Sequence, residues 1–268
     1  MFRIKDIKEN NDDIIFFKII EKKYVRNYVE DGQIYFGLLA DYRTMEESGQ
    51  ENIGDSFEAS LSRKVLIYIG NEKTGFEEIH GRNVGNNIRI NANQCAFCFY
   101  GVGLKRFQEE DQIRYVHEIP ESLLKEFCKD KGGIDNCAII IFDDNLVHKI
   151  LSVLKSRNLP FMSKRIIYDD YEYIPKYDIH TAEYSLECCF HKRKRYEYQN
   201  EIRVAVLNKN NQPIKDFFVD IDENDLQVLE LKSGCCFRCE VDIKAKEYRK
   251  FCEVSYKIDC FLADKKCI

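Results

Sequence analysis

The chain has 268 residues, a net charge of −5, 44% apolar and 32% charged side chains. That balance excludes a disordered or collagen-like chain, and it argues against a protein whose whole surface is a nucleic-acid footprint. Apolar runs are short, CAIIIF at 137–142 being typical, against the roughly 20 residues a membrane helix needs.

Gly and Pro together are about 6% of the chain, half the usual ~12%, which predicts continuous elements and few long loops. In chain order, IIFFKI (14–19) reads as a strand. EKKYVRNYVEDG (21–32) reads as a helix, because Tyr24, Val25, Tyr28 and Val29 share a face and Gly32 stands at the C-cap position. QIYFGLL (33–39) reads as a second strand, DYRTMEE (41–47) as a short helix, ENIGDSFEAS (51–60) as an acidic loop and KVLIYIG (64–70) as a third strand. QCAFCFYGV (94–102) reads as a central strand, PESLLKEFCKDKGG (120–133) as a helix and CAIIIF as a buried strand.

DDNLVHKILSVLKSRN (143–158) is an amphipathic helix with Leu146, Val147, Ile150, Leu151 and Leu154 as its stripe. Strands are predicted at 161–169 and 198–207, and near 216–221, 226–231, 237–243 and 252–262. Strands outnumber helices and cluster rather than alternate with them. The expected fold is a single α+β domain over 1–268 with a mixed, mostly antiparallel sheet.

Several segments carry residues suited to chemistry. In the strand YQNEIRVAV, alternation puts Gln199, Glu201, Arg203 and Ala205 on one side, and Ile202, Val204 and Val206 on the other as the anchoring face. A strand so anchored can hold a carboxylate in place; the alternative is a solvent-facing edge with a Glu201–Arg203 surface pair. The basic run His191, Lys192, Arg193, Lys194 and Arg195 can pair with a pyrophosphate or a nucleic-acid backbone, or else is a solvated loop. Asp55 and Glu58 in IGDSFEAS form a loop carboxylate pair, and Lys18 closes an otherwise apolar strand, where it must snorkel, pair or face a ligand.

Twelve cysteines without a recognisable leader read as reduced, mostly packing residues of a cytoplasmic protein. Cys95 and Cys98 are three apart on a strand and face opposite sides. Cys235, Cys236 and Cys239 in GCCFRC fit a turn and are the better metal candidate, yet they lack a second spaced pair, so no metal is expected. The scattered histidines form no H-E-x-x-H, and no phosphate-binding glycine loop or nucleophile elbow is present, which disfavours dehydrogenase, P-loop and hydrolase readings.

Taken together, FFKII with Lys18, QIYFG with Tyr35, GDSFE with Asp55 and Glu58, CAFCF near Cys98, and HKRKRYEYQNEIRV with Gln199, Glu201 and Arg203 resemble a family of bacterial proteins of unassigned function often encoded near phage-defence genes. The family pattern is a strand ending Tyr-Lys-Tyr, an Asn-Asp-Pro-Phe-Glu loop and a late Glu-x-Glu-x-Arg. Here Phe17 and Ile19 flank the lysine, Gly54 and Ser56 replace the Asn and Pro, and Gln199 replaces the first Glu. The layout is also similar to ADP-ribosyltransferase-like folds. That resemblance implies a transferase acting on NAD in phage–bacterium conflict. Glu201 would stabilise an oxocarbenium-like ribose, Gln199 would position the acceptor, Lys18 or Arg43 would bind the diphosphate, and Tyr35 would stack on nicotinamide. A non-enzymatic module recognising a nucleotide, nucleic acid or phage protein is the alternative. A metal-dependent nuclease using Asp55, Glu58 and Glu201 is a third possibility.

Overall fold

The apolar run after residue 13 becomes β1 (Asp13–Glu21), and Ile15, Phe16, Phe17 and Ile20 are all buried. A strand apolar on both faces needs cover on both, and its neighbours supply it. The computed structural model describes residues 13–48, 60–64, 68–71, 75–78, 85–89, 94–103, 108–109, 114–142, 144–169, 186–210, 212–222, 225–243 and 254–262. Contacts divide the chain into two compact units: residues 1–35, 98–157 and 215–268 form one, and residues 36–97 and 158–214 form the other.

In the first unit, β1 lies between β7 (Gln94–Gly103) and β10 (Cys137–Phe142), with β15 (Leu226–Glu230) beyond β10. All three pairings are antiparallel, with Phe17 opposite Tyr100 and Ile141, and Ile140 opposite Val228. A second antiparallel sheet runs β17 (Val254–Leu262), β16 (Cys235–Ile243), β9 (Arg114–Ile119), β8 (Gln108–Glu109). Between the two sheets Ile15, Phe17, Tyr100, Val102, Ile139 and Ile141 meet Ile119, Phe237 and Cys239, with Leu124 and Cys128 from the helix Glu121–Cys128. Phe17 stacks on Tyr100 at 4.5 Å and meets Phe237 edge-on at 5.2 Å. The GCCFRC segment is therefore the start of strand β16 rather than a turn.

The helix Asp144–Ser156 buries Leu146, Ile150 and Leu154, the predicted stripe. Its Lys149 pairs with Asp222 at 2.9 Å and with the buried Asp225 at 2.6 Å, which ties both carboxylates to the helix.

The second unit contains β14 (Glu201–Leu207) between β11 (Phe161–Arg165) and β7, whose first four residues belong to this unit and also pair with the short β2 (Gly37–Leu38). Beside them are the antiparallel ribbons β3 (Ser60–Lys64)–β6 (Gly85–Arg89) and β4 (Tyr68–Asn71)–β5 (Gly75–Glu78). β12 (Ile167–Asp169) pairs with β13 (His191–Arg193), the one parallel pair among the described registers. The helix Leu39–Glu47 and the 3-10 helices Cys188–Phe190 and Lys194–Gln199 complete the described elements of this unit. The α+β class and the mostly antiparallel sheet agree with the sequence reading.

Several predicted elements are shorter than expected. The helix expected over 21–32 is a 3-10 turn at Lys22–Tyr24 followed by a single α-turn at Val25–Val29. The strand expected over 33–39 is reduced to isolated bridges, Gln33 with Phe218 and Phe36 with Ile214, plus β2. In the strand expected near 216–221, Phe218 is the partner of Gln33, while Ile214, the partner of Phe36, precedes that range. Strand 161–169 breaks at Ile166, and the strand expected from 198 begins only at Glu201.

Gly32 makes the first of these turns possible. Its φ is +62°, and a Cβ there would stand 2.1 Å from the Val219 carbonyl oxygen, while the Val219 amide donates to the Gly32 carbonyl at 2.9 Å. Replacement Gly32→Ala combines left-handed strain with a backbone clash and is expected to destabilise by about 2–5 kcal/mol in urea unfolding; a loss under half a unit would show that the turn relaxes freely.

Burial of Asp225 acts to raise its carboxyl, but the Lys149 ammonium, the Asp222 amide and the Asn145 side chain outweigh it and hold the carboxyl below its usual range. A carboxylate whose folded value is depressed contributes stability above its unfolded value, and that stability is lost as pH falls through the folded value. Asp225→Asn should therefore be less stable than wild type by about 1–3 kcal/mol near neutrality, with the gap closing below about pH 4. A gap independent of pH would assign the loss to packing instead.

Candidate functional site

Glu201 opens β14, and the register with β11 sets Ile202 opposite Arg165 and Arg203 opposite Lys164. Every residue from Glu201 to Val206 is buried, so the strand has no solvent-facing side. That overturns the surface-pair alternative: Glu201 is 7% exposed and Arg203 1%. A charge so deep must be paired, because an unpaired ion loses several kcal/mol of solvation.

The pairing is extensive. Arg203 sends Nε and Nη2 to the same oxygen, Oε1 of Glu201, at 2.8 and 2.7 Å. Its Nη1 donates to the Cys189 carbonyl. The other carboxylate oxygen, Oε2, accepts from Lys192 Nζ at 3.2 Å, and that ammonium also donates to Gln199 Oε1 at 2.6 Å. The Glu201 amide donates to the Tyr168 hydroxyl oxygen at 2.8 Å. Burial raises the Tyr168 phenol, and the Glu201 carboxylate adds to the effect.

The sequence reading put Gln199 on the strand beside Glu201. It lies instead on a 3-10 helix, Lys194–Gln199, which ends at Asn200 in the left-handed region (φ 41°). Asn200 is fixed by its amide donating to Glu197 and by its side-chain oxygen accepting from Arg165 Nη1 at 2.5 Å. The turn reverses the chain so that Gln199 and Glu201 reach Lys192 from two different elements.

The basic run departs from the expected solvated loop. His191 and Lys192 are buried on β13, Arg193 is half-buried, and Lys194 and Arg195 are exposed. Three of its cations surround the buried Tyr196 ring, with Lys192 at 4.9 Å, Arg193 at 5.6 Å and Arg195 at 4.8 Å from the centroid. Arg195 Nη2 also reaches the Tyr196 hydroxyl at 2.8 Å. Nearby, Lys164 pairs with Glu187 at 2.5 Å.

The other predicted residues lie elsewhere. Lys18 is half-buried on β1 in the first unit, and its ammonium donates to the Cys98 carbonyl. Tyr35, in the same unit, is 42% exposed, and its amide donates to the Tyr28 phenol oxygen. The side chain of Arg43, and Asp55 and Glu58 as a whole, lie outside the described residues. Cys95 is buried with its thiol donating to the Gln212 carbonyl at 3.3 Å, and burial pushes that thiol up to about 11. Among the described residues no three His, Cys, Asp or Glu side chains are grouped as a metal site.

Lys192 is the participant that sequence reasoning missed. In sequence it is one of four Lys and Arg in a five-residue basic run, and the structure buries it with His191 while Lys194 and Arg195 stay exposed. Tyr168 and the Cys189 carbonyl gave no signal in sequence. Compared with protein-family models, curated proteins and solved structures, the chain matches none.

Replacing Glu201 by Gln keeps the shape and removes the one negative charge shared by Lys192 and Arg203. With both cations buried, Glu201→Gln is expected to cost about 3–5 kcal/mol, read as a lower midpoint in urea. A loss below about 1 kcal/mol would place the network in a far more hydrated setting than its burial indicates.

Proposed function

We propose that the second unit binds a phosphate-bearing small molecule of nucleotide type, and that the Lys192–Glu201–Arg203 network is the rigid support of that site. The observation carrying this reading is the convergence of cations. Over 161–169 and 186–207 the chain places seven Lys and Arg against four Asp and Glu, in a protein whose net charge is −5. Their arrangement is ordered by the Tyr196 ring, so Arg193 and Arg195 are held rather than waving in solvent. Guanidinium forks on a fixed platform suit the paired oxygens of a diphosphate. With His191 and Lys192 buried, the run is too short on the surface to follow a nucleic-acid backbone, which favours a small ligand.

The second reading is ADP-ribosyl transfer from NAD. It is favoured by the meeting of Gln199 and Glu201 on one ammonium, which joins the two residues of the late Q-x-E pattern. It is weakened by electrostatics. Stabilising a cationic ribose needs an available carboxylate, and both oxygens of Glu201 already accept from cations.

The test is titration calorimetry with ADP-ribose and with NAD, on wild type and on Lys194→Gln/Arg195→Gln. Wild type should bind ADP-ribose saturably, and the double variant should bind about tenfold to a hundredfold more weakly, as expected for lost charge-assisted contacts, with little change in melting temperature. Equal affinity of the two proteins, or no binding by wild type, would remove the proposal. Release of nicotinamide from NAD by wild type would move the assignment to the transferase reading.

A further inference from the structure

Away from that network, the sheet of the first unit ends in β15, which pairs with β10 on one side and with no other strand among the described residues. The register is unbroken, with Glu230 opposite Ala138, Val228 opposite Ile140 and Leu226 opposite Phe142. One step beyond, the Leu231 amide donates to the Cys137 carbonyl at 3.0 Å. Bonded and non-bonded pairs alternate along an antiparallel ladder. Leu231, Leu229 and Gln227 therefore direct their backbone groups to β10, and Leu226, Val228 and Glu230 direct theirs outward. Among the described residues no backbone group answers these outward ones.

Solitary edges are usually blunted by a lysine, a proline or a bulge. LQVLE carries none of these. Its single charge, Glu230, stands at the last position and is held by Lys22 at 3.2 Å. Gln227 and Glu230 are exposed and Leu226 and Val228 half-buried, so the edge is open to an incoming strand.

We propose that β15 pairs antiparallel with β15 of a second copy of this chain, about a two-fold axis at Val228. In that register Val228 faces the partner's Val228, and Leu226 faces the partner's Glu230. Each outward amide then meets an outward carbonyl, and none is left over. Charge selects this arrangement. It keeps the two Glu230 carboxylates at opposite ends of the paired strands, whereas parallel pairing, or a slide toward the end of β15, brings them together. It also sets the exposed Lys232 of each copy beside the start of the other copy's strand, where Lys149 is outnumbered by Asp222 and Asp225. A strand of unrelated sequence gains the backbone bonds alone. The chain's own strand matches the charges as well, and the same patch serves both copies, as a two-fold interface requires.

The experiment is sedimentation equilibrium of the full-length protein under a thiol reductant, which prevents cysteine cross-links between copies. Concentrations run from about 1 to 200 μM, bracketing the micromolar affinity of a small interface. The mass should rise from the 31.7 kDa of one chain toward twice that value. Val228→Pro removes the outward amide at the two-fold axis and spares the ladder to β10. It should associate about tenfold more weakly or less still, with a melting temperature close to that of wild type. Amide exchange in the wild type gives an independent reading. The Leu226, Val228 and Glu230 amides should exchange more slowly as concentration rises, and the Gln227 and Leu229 amides, already bonded to β10, should not change. A mass that stays at one chain throughout the range would overturn the proposal. So would a dimer whose Leu226, Val228 and Glu230 amides exchange as in the monomer, or a folded Val228→Pro that associates like wild type. Mass and amide exchange of the wild type decide the matter even if the proline variant does not fold.

Discussion

The carboxylate of Glu201 is the constraint on which the second unit is organised. Arg203 and Lys192 are both buried, and each needs a negative partner to remain so; Glu201 supplies one oxygen to each. Around this centre, a strand (β14), a parallel two-strand pair (β12–β13) and a 3-10 helix are held by the tails of the same side chains. Arg203 reaches the Cys189 carbonyl, Lys192 reaches Gln199, and Tyr168 receives the Glu201 amide. A buried ion network of this kind contributes little net stability compared with an apolar core of equal volume, but it is severe on alternatives, because any misplacement leaves a charge unpaired.

The cations outside the centre follow from the same geometry. β13 brings Lys192 to Glu201, and the 3-10 helix that follows sets the Tyr196 ring within reach of Lys192, Arg193 and Arg195. A basic run that would otherwise be loose becomes an aromatic ring with ordered guanidinium groups over it. The proposed anion site rests on this order.

The first unit rests on different physics. Its core is aromatic and aliphatic, with Phe17 between Tyr100 and Phe237, and its cysteines are packed as small apolar residues.

The sequence by itself determined the elements whose burial follows a simple period. CAIIIF is a buried strand, the Leu146–Ile150–Leu154 stripe is a helix, and the excess of strands over helices announced an α+β fold with a mostly antiparallel sheet. Those readings need only local alternation and composition, which the chain carries in full. Glu201 and Arg203 could also be singled out, since two charges in an apolar strand are conspicuous. What only the tertiary structure decided is where such charges go. Whether Glu201 faces water or two buried cations, whether Lys192 differs from Lys194, and whether Gln199 continues a strand or closes a 3-10 helix all depend on partners tens of residues away. Segments 21–39 show the same limit: a helical pattern and a strand pattern were both present, yet the first is a pair of short turns before the Gly32–Val219 bond, and the second is two isolated bridges and the short β2. Local periodicity reports which side chains are apolar; only long-range pairing reports which neighbour each polar group must satisfy.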